Sequence, residues 1–257
     1  MPLAAVPAGV IGGVSFVALG EGGPVTVFAH GLGGSIAETR PLATRVPGTR
    51  VLLDFRGHGD SAVQPEGWDY DSLADDLLSV ADAVGASQAV GLSLGAGALL
   101  RALTRDPGRF TKLAFVLPAA IDSTRRDGAT ERLHRLGAAI TACDARAVAD
   151  VLLEEVPAEV RSRRGVDALV LRRAQQLVTK PAPAPRFEDR PLQDRGLLSS
   201  IDVPTLVVTQ EGDTLHPADL GRSLARDVDA TLLELPEGGV FWTAGRQVQD
   251  ALADQLR

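Results

Sequence analysis

Cysteine is almost missing from this chain. Cys143 is the sole one, so no intrachain disulfide and no thiolate metal cluster within one chain can form, which fits a reducing compartment. Histidine is scarce as well, at 4 residues, and no His/Asp/Glu grouping has a metal-ligand spacing, so no metal is expected. Positive charge is not in excess: 26 Lys and Arg stand against 33 Asp and Glu, and a net charge of -7 offers no overall field for phosphates. Nucleic acid is therefore not an expected partner. No uncharged apolar run is long enough to span a bilayer as a helix, and Met1 to Pro7 lacks the basic region and long apolar core of a secretion signal. The expectation is a cytoplasmic protein without a membrane partner.

What is present suits a sizeable core. Hydrophobic residues make up 45% and charged residues 23% of 257 residues, enough for one large α/β domain or a core with a modest insertion. Near the start, Val10-Ile11 and Val14 to Leu19 predict a hairpin around Gly12-Gly13. Short, mostly apolar runs at Val25–Ala29, Val51–Phe55, Ser87–Val90, Lys112–Leu117, Ile201–Thr209 and Ala230–Leu235 predict strands. Helical spacing appears between them at Asp71–Val84, Ala98–Leu103, Ala218–Val228 and Arg246–Leu256. Such alternation implies right-handed crossovers and a mainly parallel central sheet with flanking helices, its functional loops gathered beyond the carboxyl ends of the strands.

From Ala119 to about Leu198 that rhythm breaks. Arg125–Cys143, Ala145–Val156 and Ala168–Val178 read as helices with arginines on their polar faces, and Lys180 to Arg186 as an extended proline-rich stretch. The expected organisation is a core in two parts, 1–118 and 199–257, with a helical lid at 119–198 over a substrate pocket. The lid arginines are expected on a solvated surface rather than on a substrate carboxylate or phosphate. His134 reads as a surface or lid-packing residue.

The stretch that carries chemistry is Gly91-Leu92-Ser93-Leu94-Gly95, placed between a strand and a helix. Its glycines permit a sharp reversal that holds the Ser93 hydroxyl above the sheet edge in a strained backbone, where a neighbouring base would activate it. The second glycine-rich turn, His30-Gly31-Leu32-Gly33-Gly34-Ser35, follows a strand directly. It lacks the Gly-Lys-Ser/Thr and Gly-x-Gly-x-x-Gly patterns of nucleotide sites, so no cofactor is expected. Paired with Ser93 it reads as an oxyanion hole, with the Leu32 and Leu94 amides as donors. His30 is better read as a backbone clamp in that loop than as the base. Arg56 to Ser61 forms a further loop at the same end, its charges read as loop-ordering. Asp213, just after a strand, is placed to orient an imidazole, with Glu211 as a rival.

Taken together these motifs resemble the α/β-hydrolase family, over nearly the whole chain. His30-Gly31-Leu32-Gly33-Gly34 is similar to its oxyanion loop, Asp54 to Ser61 to its next characteristic loop, Gly91 to Gly95 to its nucleophile elbow, and Pro204 to Val208 with Asp213 and Pro217 to its acid-bearing segment. The resemblance implies Ser93 as nucleophile, Asp213 as acid, and Leu32 and Leu94 as oxyanion donors. The family's C-terminal Leu-Pro-x-x-Gly-His-like segment aligns with Leu235 to Val240, which puts Val240 where the catalytic histidine is expected. Valine cannot accept or return a proton. His216, beside the acid loop, is the leading replacement; His30 and His58 stand behind it, and a substrate group or ordered water is a further source.

The expected function is hydrolysis of a small-molecule ester, thioester or lactone through Ser93 with an atypical proton-transfer arrangement. Two alternatives stay open: a lyase, isomerase or cyclase that uses the oxyanion site without covalent chemistry, and a degenerate binding protein. Phe241 and Trp242 are candidate walls of an apolar substrate pocket, with core packing as the rival role. Oligomeric state is not legible in the sequence.

Overall fold

A computed structural model describes residues 8–63, 67–123, 128–179 and 189–257. The N-terminal stretch Met1 to Pro7, the proline-rich stretch Lys180 to Arg186 and the expected helix start at Arg125 lie outside the described residues. The sheet is built from eight strands: β1 (Ala8–Ile11), β2 (Val14–Leu19), β3 (Val25–Ala29), β4 (Thr49–Asp54), β5 (Gln88–Leu92), β6 (Lys112–Val116), β7 (Thr205–Gln210) and β8 (Thr231–Leu235). Their spatial order is β1-β2-β4-β3-β5-β6-β7-β8. The first two strands run antiparallel, as the Gly12-Gly13 hairpin predicts, and every pairing from β3 onward is parallel. β5 is fully buried between β3 and β6, so the segment that leads to Ser93 is held from both sides.

Helices cover both faces of the sheet. On one face pack α2 (Tyr70–Val84), α3 (Leu94–Leu103) and α8 (Ala218–Asp227), which share a core with Leu53, Phe55, Leu73, Leu77, Leu99 and Phe115. On the other lie α1 (Ile36–Ala43) and α9 (Gly245–Gln255), packed through Leu42, Val248 and Leu252 on Phe28, Leu52 and Val208. α1 was not evident in the sequence, because its eight residues include Pro41 and carry little amphipathic contrast. α2 begins one residue before the predicted start, at a capping box in which the Asp69 carboxylate accepts from the Ser72 N–H and the Ser72 hydroxyl accepts from the Asp69 N–H.

Between β6 and β7 the chain departs into α4 (Gly128–Thr141), α5 (Ala145–Leu153), α6 (Ala158–Arg161) and α7 (Val166–Thr179). This helical insertion has its own apolar cluster, which includes Val148, Leu152, Val170 and Leu177, with Trp242 from the core packed against it. Among the described residues no helix is long and apolar enough to cross a membrane.

Candidate active site

Ser93 occupies the junction of β5 and α3 with φ 51° and ψ -108°, a region that non-glycine residues rarely enter. The glycines around it are required by contact. A Cβ on Gly91 would lie 2.5 Å from the Gly95 carbonyl oxygen, and one on Gly95 would lie 2.5 Å from that of Ala29. The turn is therefore pressed between its own helix and the neighbouring strand, and the serine is held by packing.

His216 reaches Ser93 from the loop after β7. Its Nε2 lies 2.8 Å from the Ser93 Oγ, and its Nδ1 lies 2.9 Å from Asp213 Oδ2. Because the carboxylate can only accept, the Nδ1 carries the proton and Nε2 is left to accept from the hydroxyl. Asp213 is firmly set: Oδ1 accepts the backbone N–H groups of Leu215 and His216, and Oδ2 also accepts from Gln210 Nε2 at 2.8 Å. Burial alone would raise the Asp213 pKa, but the His216 ring, the His216 backbone N–H and the Gln210 amide outweigh it and bring it to about 2. Glu211, the sequence rival, is exposed and pairs with Arg222.

The glycine-rich loop His30 to Ser35, the expected oxyanion loop, lies directly across from the elbow. Ser93 Cβ comes within 3.4 Å of the position a Cβ on Gly31 would take. Among the described residues the N–H groups of Leu32 and Leu94 have no hydrogen-bond acceptor. His30 is fully buried beneath this loop, where its Nδ1–H donates to the Gly31 carbonyl at 2.7 Å and its Nε2 accepts the Phe55 N–H at 3.1 Å. Both ring nitrogens are thus spent on backbone, and burial pushes its pKa down. The His58 ring packs tilted against His30, with centroids 5.0 Å apart; burial, and then the neighbouring ring, push it down to about 3. Neither is placed on Ser93. His134 is exposed on the insertion.

The Arg56 loop is tied inward: Arg56 Nε pairs with Asp76 at 2.5 Å, and Asp54 accepts the backbone N–H groups of Ile36 and Asp60. These contacts join the loop to α1 and α2 and reach no reacting atom.

A sequence profile of the alpha/beta hydrolase family matches residues 26–254. The chain belongs to the alpha/beta hydrolase family. AB hydrolase superfamily protein YisY of Bacillus subtilis is 27% identical over 223 residues, covering 82% of this chain and 81% of the relative. Two solved structures share the fold across their length. An esterase from Exiguobacterium antarcticum has a TM-score of 0.76 at 17% identity and 95% coverage of both chains. A hydrolase from Pseudomonas aeruginosa has a TM-score of 0.77 at 24% identity, covering 95% of this chain and 94% of the other.

In this alpha/beta-hydrolase-type enzyme the loop after β8 packs inward. Val240 is 2% exposed, packs with Leu235 and Val248, and donates its N–H to the Gln210 Oε1 at 3.1 Å. Gln210 was not singled out in the sequence, yet its amide joins Val240 to Asp213. A small cavity next to the His216–Asp213 pair is walled by Gln210, Phe241, Trp242, Arg132 and Glu155. Phe241 is 42% exposed, while Trp242 both lines the cavity and packs on the insertion.

The arginines of the insertion correct the solvated-surface expectation in part. Arg132, with 9% of its side chain exposed, pairs with Glu154 and Glu155, and Arg173 pairs with Glu38 at 2.7 Å. Neither arginine carried a signal in the sequence, since their carboxylate partners are remote or lie just past the end of another helix.

Proposed function

We propose that this protein hydrolyses small-molecule esters, thioesters or lactones through Ser93, with His216 as the general base in place of a histidine at position 240. The observation that carries this reading is the continuous bond path from Asp213 through His216 to the Ser93 hydroxyl. Membership in the alpha/beta hydrolase family, and the esterase among the proteins that share its fold, agree with that chemistry.

The reaction follows from the geometry. Ser93 Oγ attacks the carbonyl carbon as His216 Nε2 takes its proton, and Asp213 stabilises the imidazolium that forms. The carbonyl oxygen becomes an oxyanion held by the N–H groups of Leu32 and Leu94. Collapse expels the alkoxide or thiolate, which leaves with the proton from His216. Water then gives its proton to the same Nε2 and attacks the acyl-enzyme; a second collapse releases the acid and returns the proton to Ser93. The helical insertion acts as a lid, with its charged inner side and Trp242 beside the acid–base pair.

The test is intact-protein mass after exposure to a small fluorophosphonate. Wild type should gain one adduct, Ser93→Ala none, and His216→Ala should label about 10²–10⁴-fold more slowly. Labelling of His216→Ala at the wild-type rate would remove His216 from the mechanism.

A further inference from the structure

Glu38 places a carboxylate on the oxyanion loop itself. From the first turn of α1 its Oε2 accepts the Gly31 N–H at 2.9 Å. That oxygen lies 3.2 Å, and Ser93 Cβ 3.4 Å, from the position of a Cβ on Gly31, so the carboxylate and the nucleophile flank the same residue. A negative charge there opposes the negative charge that develops on a substrate carbonyl oxygen held by the adjacent Leu32 amide. Glu38 has 13% of its side chain exposed and Arg173 40%, so water reaches the pair from the arginine side and screens the carboxylate less.

The counter-charge comes from the insertion. Arg173 on α7 places its Nη2 2.7 Å from Glu38 Oε1. One helical turn further on, a Leu177 methyl lies 2.6 Å from the position of a Cβ on Gly33, so the same face of α7 is seated on the oxyanion loop. The buried His30 ring beneath that loop is pulled in opposite directions by the two charges, upward by Glu38 and downward by Arg173. Glu155 also acts on Arg173, but it has its own pairing with Arg132 at 3.2 Å.

We infer that Arg173 is a charge-balancing residue of the reaction: by neutralising Glu38 it lets the Gly31–Leu32 loop stabilise an oxyanion, so that seating of α7 sets the electrostatics of the nucleophile. This rests on the hydrolytic reading given above. Glu38 fixes the loop through Gly31, and Arg173 removes the electrostatic penalty of using a carboxylate to do so.

The experiment compares wild type, Arg173→Gln, Arg173→Lys and the double variant Arg173→Gln/Glu38→Gln. The readouts are the second-order rate of labelling by the fluorophosphonate, kcat and KM on an ester that wild type turns over, and thermal unfolding of each protein. Arg173→Gln should lower labelling and kcat by about 10–100-fold, with little change in KM, because the lost stabilisation belongs to the charged transition state. Arg173→Lys keeps the charge and most of the rate. In the double variant the amide that replaces the Glu38 carboxylate still offers an oxygen to the Gly31 N–H, and the uncompensated charge is gone. Its rate should recover to within about fivefold of wild type. A purely structural role for Arg173 would leave the double variant as slow as Arg173→Gln or slower. A folded Arg173→Gln at the wild-type rate, or a double variant without recovery, overturns the inference while leaving Ser93 chemistry intact. A wild type that neither takes the probe nor cleaves any ester overturns both.

Discussion

Gln210→Leu tests whether one amide holds the altered end of the site together. In the folded protein that side chain is 8% exposed and fully engaged, its Oε1 with the Val240 N–H at 3.1 Å and its Nε2 with Asp213 Oδ2 at 2.8 Å. Leucine fills similar volume and supplies neither group. The Val240 N–H is then left buried without an acceptor, at a cost of about 1–3 kcal/mol. Asp213 loses one charged hydrogen bond but keeps three, from Leu215, His216 and the His216 ring, so that part costs about 1 kcal/mol. The sum is roughly 2–4 kcal/mol, measured as the shift in urea midpoint multiplied by an unchanged slope. Activity should fall too, because the carboxylate that fixes the imidazole is less firmly held. A loss below about 1 kcal/mol, with the wild-type rate of labelling at Ser93, would refute the argument that Gln210 holds Asp213 and the loop after β8 together.

Two further predictions concern the loop after β7 and the β5–α3 elbow. Asp213 has a folded pKa of about 2, below its ordinary value of 3.8, so its contribution to stability is fully present above the unfolded value and is lost as pH falls through the folded one. Between about pH 5 and pH 2 wild type should lose about 2 kcal/mol that Asp213→Asn does not lose, read from denaturant unfolding across that range; equal slopes for the two proteins would contradict it. Gly95→Ala should cost about 2–3 kcal/mol and slow labelling, since its methyl would meet the Ala29 carbonyl oxygen at 2.5 Å and carbon at 2.7 Å, both backbone atoms that cannot rotate away; a thermal midpoint equal to wild type would show that the elbow has room to spare.

The fold was legible because its signals are local. Short buried strands such as Val25–Ala29 and Lys112–Val116 are mostly apolar, and the hairpin at Gly12-Gly13 announces the antiparallel start. α1 escaped because its helical character comes from tertiary packing of Leu42 and Ala43, not from a repeating pattern. In the site, Ser93, Asp213 and the two glycine-rich turns stood out by residue type and spacing. Whether Asp213 and His216 would point together did not, since a separation of three residues in a loop fixes no side-chain direction. Gln210, Glu38, Arg132 and Arg173 were silent for a related reason: each acts through a partner brought near only by the sheet or the insertion.

The placement of His216 has a structural logic of its own. β7 and β8 are parallel neighbours, so the loops after them open at the same end of the sheet; the first reaches the β5–α3 elbow through His216, and the second lines the cavity beside His216. An imidazole delivered from the loop after β8 needs its acid to reach across from the loop after β7. Delivered from the loop after β7, it shares a single turn with its acid, and the same Asp213 carboxylate that orients the ring also ties down the backbone N–H groups of Leu215 and His216. Acid and base are then positioned by one set of local bonds. In the proposed mechanism the loop after β8 carries no proton-transfer group, and Val240 turns inward to the apolar core while Phe241 and Trp242 face the cavity beside His216. The cost is a strand end that must hold the carboxylate from below, and that is the position Gln210 occupies.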